Sequence, residues 1–128
     1  MGKLDGKVAI ITGASSGFGR GTALVFAAVG CNLVLTARRK DRLQEVTDMC
    51  KKMGVKAVYY AGDAREEQTA TKTVKLAIQT FGKIDILVNN AGIGRTLSIT
   101  DTTMADYDLV MDTNVRSAFA FTKQTVPT

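Results

Sequence analysis

Thr12-Gly13-Ala14-Ser15-Ser16-Gly17-Phe18-Gly19 places three glycines where an apolar run, Val8-Ala9-Ile10-Ile11, gives way to a helical pattern. Glycine has no Cβ and tolerates positive φ. The backbone can therefore turn tightly and bring its N–H groups to the positive end of a helix dipole, a geometry that holds phosphate. A plain strand-to-helix turn uses glycines too, so the surrounding chain must separate the two readings.

Working outward, strands are expected at Val8–Thr12, Asn32–Ala37, Ala57–Ala61 and Ile84–Asn89. Helices are expected near Phe18–Val29, Asp41–Met53 and Glu66–Phe81. Strict alternation of strand and helix implies a parallel sheet, and Ile86-Leu87-Val88 suits a strand buried on both faces. Val74, Ala77, Ile78 and Phe81 have the spacing of a helix packing on such a sheet. Gly30, Gly54 and Gly82 each fall just past a helix, where a left-handed residue is wanted. Three βα units without Pro-rich or Ser-rich linkers make one doubly wound α/β domain over residues 1–128.

The composition is that of a soluble globular protein, with 45% hydrophobic and 23% charged residues and no run of 18 apolar residues, so no membrane partner is expected. The start lacks an apolar signal core, which leads to the expectation of a cytoplasmic protein. Cys31 and Cys50 are too few for a disulfide framework, and Cys50 shares a helix face with Leu43, Val46 and Met53, as core packing would have it. There is no histidine, which removes Ser-His and Cys-His nucleophiles and the usual zinc sites; no metal is expected.

The net charge of +5 is localised. Residues 1–64 carry ten basic and five acidic side chains, whereas residues 65–128 carry seven of each. The densest part, Arg38, Arg39, Lys40 and Arg42, follows the second strand about twenty residues after the glycine turn, where a dinucleotide fold reads the adenosine ribose. A nucleic-acid partner is not expected, because no basic face with interleaved aromatics and no helix-turn-helix pattern is present.

A fourth helix should start near Thr103 and run into the C-terminus, with Tyr107, Val110, Met111 and Asn114 on one face. An amide on an apolar stripe needs a hydrogen-bond partner. Asn114 is either satisfied by backbone or faces a polar site near Asn89-Asn90-Ala91-Gly92, and the two are compatible.

Three motifs in order, the glycine turn, Asn89-Asn90-Ala91-Gly92 and Asn114, resemble those of the classical short-chain dehydrogenases/reductases: Thr-Gly-x-x-x-Gly-x-Gly, Asn-Asn-Ala-Gly and the helix asparagine. The resemblance covers essentially the whole chain and implies a Rossmann-like sheet, truncated after the fourth strand and following helix. It implies a nicotinamide dinucleotide cofactor held by Thr12, Gly13, Ser15, Ser16, Gly17, Phe18 and Gly19, with Gly13, Ser15 and the backbone around Phe18 on the phosphates. Asp63, beside Ala64, looks like the carboxylate that accepts the adenine amino group; its plain alternative is a cap for the next helix. Asn90, Ala91 and Gly92 would line the ribose and nicotinamide side, and Thr12 would brace the glycine turn against them. NADP(H) is favoured over NAD(H): Ala37 replaces the family's NAD-selecting acid, and Arg38 or Arg39 offers a planar fork to a 2′-phosphate.

The family's proton relay is a Tyr, a Lys four residues later and a Ser, with Asn114 here as the matching supporting asparagine. The tyrosines Tyr59, Tyr60 and Tyr107 are followed at that spacing by Asp63, Ala64 and Met111, so no Tyr-x-x-x-Lys is present. By the resemblance those groups lie beyond residue 128. This span is expected to be the amino-terminal half of a carbonyl or alcohol oxidoreductase, inactive alone, with an unpaired edge at the fourth strand. The alternative is a non-catalytic nucleotide-binding or subunit-pairing protein. In the family the terminal helix, with Val115, Ala118, Phe119 and Phe121, lies at the main subunit interface, which implies a homo-oligomer.

Overall fold

The computed structural model describes residues 2–91, 100 and 103–126. Strand β1 (Val8–Thr12) leads to helix α1 (Gly17–Ala28), β2 (Asn32–Ala37) to α2 (Lys40–Lys52), and β3 (Ala57–Ala61) to α3 (Glu67–Phe81). Strand β4 (Ile86–Val88) precedes α4 (Met104–Met111), a π-helical segment (Asp112–Arg116) and α5 (Ser117–Thr125). All pairings are parallel and the order is β3-β2-β1-β4, giving the expected Rossmann-like sheet.

Alternation along the strands sorts the core into two layers. Ala9, Ile11, Leu33 and Leu35 pack with Ala23 and Ala27 of α1 and Leu43, Val46 and Cys50 of α2. Val8, Ile10 and Val34 face the other way, onto Ala70, Val74 and Ala77 of α3 and Ala120 and Phe121 of α5. Both central strands are therefore covered on both faces, which is why β1 reads as an unbroken apolar run. Cys31 and Cys50 are buried thiols, as the helix-face spacing of Cys50 implied; burial first, then the Asp85 charge, pushes Cys31 up to about 11. Met53 lies just past the end of α2 and is exposed, so it drops out of the expected face.

Gly30, Gly54 and Gly82 follow their helices with φ of 88°, 98° and 77°, the left-handed conformation expected at those ends. Helix α4 opens on a reciprocal cap. The Asp106 N–H donates to the Thr103 hydroxyl at 3.0 Å, and the Thr103 N–H donates to the Asp106 carboxylate at 3.2 Å.

Two expectations need correction. Strand β4 is three residues long rather than six, and its side chains are only half-buried, because among the described residues β1 is its one neighbour and side chains replace the ladder at both ends. Below, the Asp85 carboxylate accepts the Val8 N–H at 2.9 Å while the Asp85 N–H donates to the Val8 carbonyl at 2.8 Å. Above, the Thr12 hydroxyl accepts the N–H groups of Asn90 and Ala91. The C-terminal helix is also not continuous: the π segment interrupts it, no side chain of α4 is buried, and Tyr107 and Met111 of the expected inward stripe are exposed. A π turn adds a residue to its turn and rotates the face that follows, so the stripe of Tyr107, Val110, Met111 and Asn114 does not carry on in α-helical register into α5.

The Val8 N–H, and after it Lys83 at 3.1 Å, hold the Asp85 carboxyl below the usual carboxylate range. Its stabilising effect is thus present above the unfolded carboxylate value, about 3.9, and is lost as pH falls through the lower folded value. Asp85 is therefore expected to contribute to a fall in the chain's urea midpoint below about pH 4. Asp85→Asn, which keeps an acceptor but loses the charge, should lower the midpoint at neutral pH and flatten that acid slope. An unchanged slope would rule this role out.

Candidate functional site

The site grows from the place where the strand order reverses. β1 is flanked by β2 on one side and β4 on the other, and such a switch point opens a crevice beyond the carboxyl ends of the strands. Here it is a cleft of about 750 Å³, bordered by the glycine turn, the ends of β2 and β3, Asn90, Ala91 and Leu109 of α4.

The glycine turn forms one wall. Gly13 and Gly17 have φ of 64° and 57°, values an L side chain resists. A Cβ on Gly13 would also meet Asn90 Nδ2 and the Ala91 Cα at 3.0 Å. Gly19 is buried in the first turn of α1, and a Cβ there would overlap the Gly13 carbonyl and approach Asn90 Nδ2 to 2.6 Å. These two glycines let three backbone segments meet. Ser16 is the N-cap residue in extended conformation (φ −159°, ψ 167°), yet its hydroxyl makes no capping bond, and the first turn of α1 holds no acidic side chain. The N–H groups at this helix end thus face the cleft without an internal anion, which fits a phosphate. Phe18 is 88% exposed at the rim, and Ser15 is half-buried within the lining.

Thr12 joins this wall to the opposite one. Its hydroxyl, on a side chain 1% exposed, accepts the N–H groups of Asn90 and Ala91 at 2.9 Å each and donates to the Val88 carbonyl at 3.4 Å. Asn90 Nδ2 donates back to the Gly13 carbonyl at 3.3 Å. The expected brace between glycine turn and Asn-Asn-Ala segment is therefore a set of hydrogen bonds. On the outer side, Asn89 Nδ2 donates to the Thr122 hydroxyl of α5 at 3.2 Å.

The end of the cleft at the tips of β2 and β3 collects Arg38, Arg39, Asp63, Ala64 and Arg65. Arg39 lies 3.8 Å from Asp41, whereas Arg38 has no ion-pair partner among the described residues. Asp63 does not cap α3, whose N-cap position is Glu66. Its carboxylate is instead gripped by Arg65, through the backbone N–H at 2.9 Å, Nε at 3.1 Å to each oxygen, and Nη2 at 2.6 Å. The hydrogen bond to the Arg65 side chain, more than any other influence, holds the Asp63 carboxyl below its ordinary range, and the Arg38 charge adds to this.

The cleft thus brings together Gly13, Ser15, Ser16, Gly17, Phe18, Arg38, Arg39, Asp63, Ala64, Asn90 and Ala91. Thr12 and Gly19 stand just behind that lining as supports. Asn114 is half-buried in the π segment and is not among the residues bordering the cleft. Gly92 lies outside the described residues, as does the loop after it. Sequence reasoning missed Thr36, Gly62, Arg65 and Leu109. Of these, Arg65 carried a legible signal, because an Asp side chain readily takes the N–H two residues on. Among the described residues, no group of three or more His, Cys, Asp or Glu side chains is placed to hold a metal ion. Nor is any helix among them long and apolar enough to cross a membrane.

The chain is similar to known proteins. A family model described as short chain dehydrogenase matches residues 7–128. The chain is 39% identical over 127 residues to the oxidoreductase UcpA of Salmonella typhimurium, covering 99% of this chain and 48% of that protein. It is also 39% identical over 122 residues to an A-factor type gamma-butyrolactone 1'-reductase (1S-forming) of Streptomyces virginiae, covering 93% and 47%. The crystal structure of an NAD+-bound xylitol dehydrogenase matches with a TM-score of 0.93 at 33% identity, covering 98% of this chain and 48% of that one. The chain spans about half the length of the curated relatives it matches.

Thr12→Val removes the hydroxyl while keeping the shape, leaving two N–H groups without their acceptor. A loss of about 1–3 kcal/mol in urea unfolding is expected, with Thr12→Ser near the unaltered chain. Equal stability of all three would show that the brace carries no load.

Proposed function

The chain belongs to the short-chain dehydrogenase family, and from that premise we propose that it is the NADP(H)-binding portion of an oxidoreductase acting on a carbonyl or alcohol substrate. Residues 1–128 then make up one incomplete NAD(P)-binding domain. When bound, the nicotinamide cofactor supplies or accepts the hydride. This chain's own residues bind and orient it. The N–H groups at the start of α1 and the Gly13 turn take the pyrophosphate, and Asn90 and Ala91, held by Thr12, line the path toward the nicotinamide, with Gly92 following. Asn114 is assigned a supporting role. No proton transfer is assigned to Tyr59, Tyr60 or Tyr107, since none has a Lys four residues later, and the span alone is proposed to be inactive.

The observation that carries the cofactor preference is Arg38. It stands exposed at the cleft without an ion-pair partner among the described residues, next to Ala37 where an acid would select the unphosphorylated ribose. The xylitol dehydrogenase holds NAD+, so family membership alone does not choose between the cofactors and the end of β2 has to. Arg38→Ala is expected to weaken NADPH binding about ten- to a hundredfold, the value of one or two charge-assisted hydrogen bonds, and to leave NADH binding in place. Nicotinamide fluorescence titration measures both. An unchanged preference would refute the assignment.

The second reading, pairing with another subunit, is favoured by one feature. Met104, Tyr107, Met111, Val115 and Phe119 are all exposed and recur every three or four residues along α4, the π segment and α5. We propose a homo-oligomer through this row, in the cytoplasm, for the active protein. Phe119→Glu is expected to shift sedimentation velocity profiles toward monomer, and an oligomer that survives Phe119→Glu together with Met111→Glu would exclude this surface.

A further inference from the structure

We propose that Arg65 is a positioning residue that sets the selectivity for the adenine base: it fixes the Asp63 carboxylate at the adenosine end of the cleft so that one acceptor position remains for the base's amino group. The inference rests on the cofactor-binding reading above and goes beyond it, since no motif of the glycine turn or of the Asn-Asn-Ala segment involves Arg65.

An ionised carboxylate has about four lone-pair positions. The Arg65 backbone N–H takes one on Oδ1, Nη2 takes one on Oδ2, and Nε is shared between the two oxygens. What remains is about one acceptor position, in a fixed direction. The backbone bond closes a local turn from Asp63 to Arg65, which brings the guanidinium beside its own anchor, and both side chains border the cleft. The pair is partly open to solvent, at 37% for Arg65 and 21% for Asp63. Partly exposed ion pairs contribute little to folding, so aiming the carboxylate is the larger effect of this one.

An ionised carboxylate only accepts hydrogen bonds. It therefore favours a base with an exocyclic amino group, adenine, over one with a carbonyl at the same place, hypoxanthine. A protonated carboxyl donates and loses that preference. The charged groups acting on Asp63 are Arg65 on its own loop and Arg38 from the end of β2. Removing Arg65 frees the carboxylate to rotate and leaves Arg38 as the main cation keeping it ionised.

Isothermal titration of the full chain with NADP+ and with its hypoxanthine analogue, across acidic pH, tests this. In the unaltered chain NADP+ is expected to bind more tightly. In Arg65→Ala the adenine-to-hypoxanthine ratio should fall about fivefold, the value of roughly one hydrogen bond, and the pH at which the preference disappears should move upward. Arg65→Lys, which keeps the charge but not the fork, should restore the pH dependence and only part of the ratio. An unmoved ratio in Arg65→Ala with NADP+ binding retained would overturn this inference alone. A ratio that rises would overturn it too, since Arg65 would then compete with the base for Asp63. Failure of the unaltered chain to bind either dinucleotide would overturn the cofactor reading and this inference with it. If Arg65→Ala loses its circular dichroism spectrum, the Lys variant and the pH profile of the unaltered chain still decide the matter.

Discussion

A single hydroxyl joins the two halves of this site. Thr12 ends the central strand, and its oxygen serves two N–H groups of the segment leaving β4 and the carbonyl of Val88. Because among the described residues β4 shares its ladder with β1 alone, those bonds govern where the Asn89-Asn90-Ala91 segment runs. Asn90 in turn reaches the Gly13 carbonyl, and that contact requires both Gly13 and Gly19 to lack a Cβ. The glycines of the turn therefore serve two physical ends. Gly17 supplies a backbone conformation, whereas Gly19 supplies space for a neighbouring segment.

The two ends of the cleft differ in electrostatics. At the glycine turn the positive potential comes from backbone N–H groups at the start of α1, with no acidic side chain in the first turn to neutralise it. At the tips of β2 and β3 it comes from guanidinium groups around one carboxylate. Arg65 is committed to Asp63, Arg39 leans toward Asp41, and Arg38 is left facing the cleft. A net charge of +5 spread evenly would say little; its meaning lies in this division of labour among three neighbouring arginines.

Helix α5 packs on α3 past the π segment. Phe121 and Ala120 are buried against α3, while Phe119 and Val115 are exposed. The helix that completes one core layer thus presents a second apolar row outward. Soluble surfaces carry single exposed apolar residues freely, and several gathered along one element, as here, are what the oligomer reading rests on.

The alternation of strand and helix, the positions of the left-handed glycines and the burial of Cys50 were legible in the sequence because each depends on local periodicity or on one residue's φ. The family motifs rest on the same local order, and the sheet and its helices follow from them. What the tertiary structure alone decided depends on groups far apart in the chain. Thr12 meets residues 78 and 79 positions later, and Asp85 meets Val8 across 77. Those bonds shorten β4 at both ends, which its apolar composition does not reveal. Leu109 borders the cleft because the fold brings α4 to it, and of the expected stripe Tyr107 and Met111 end up exposed while Val110 and Asn114 are half-buried. Periodicity states which residues share a face. Only packing states what that face meets.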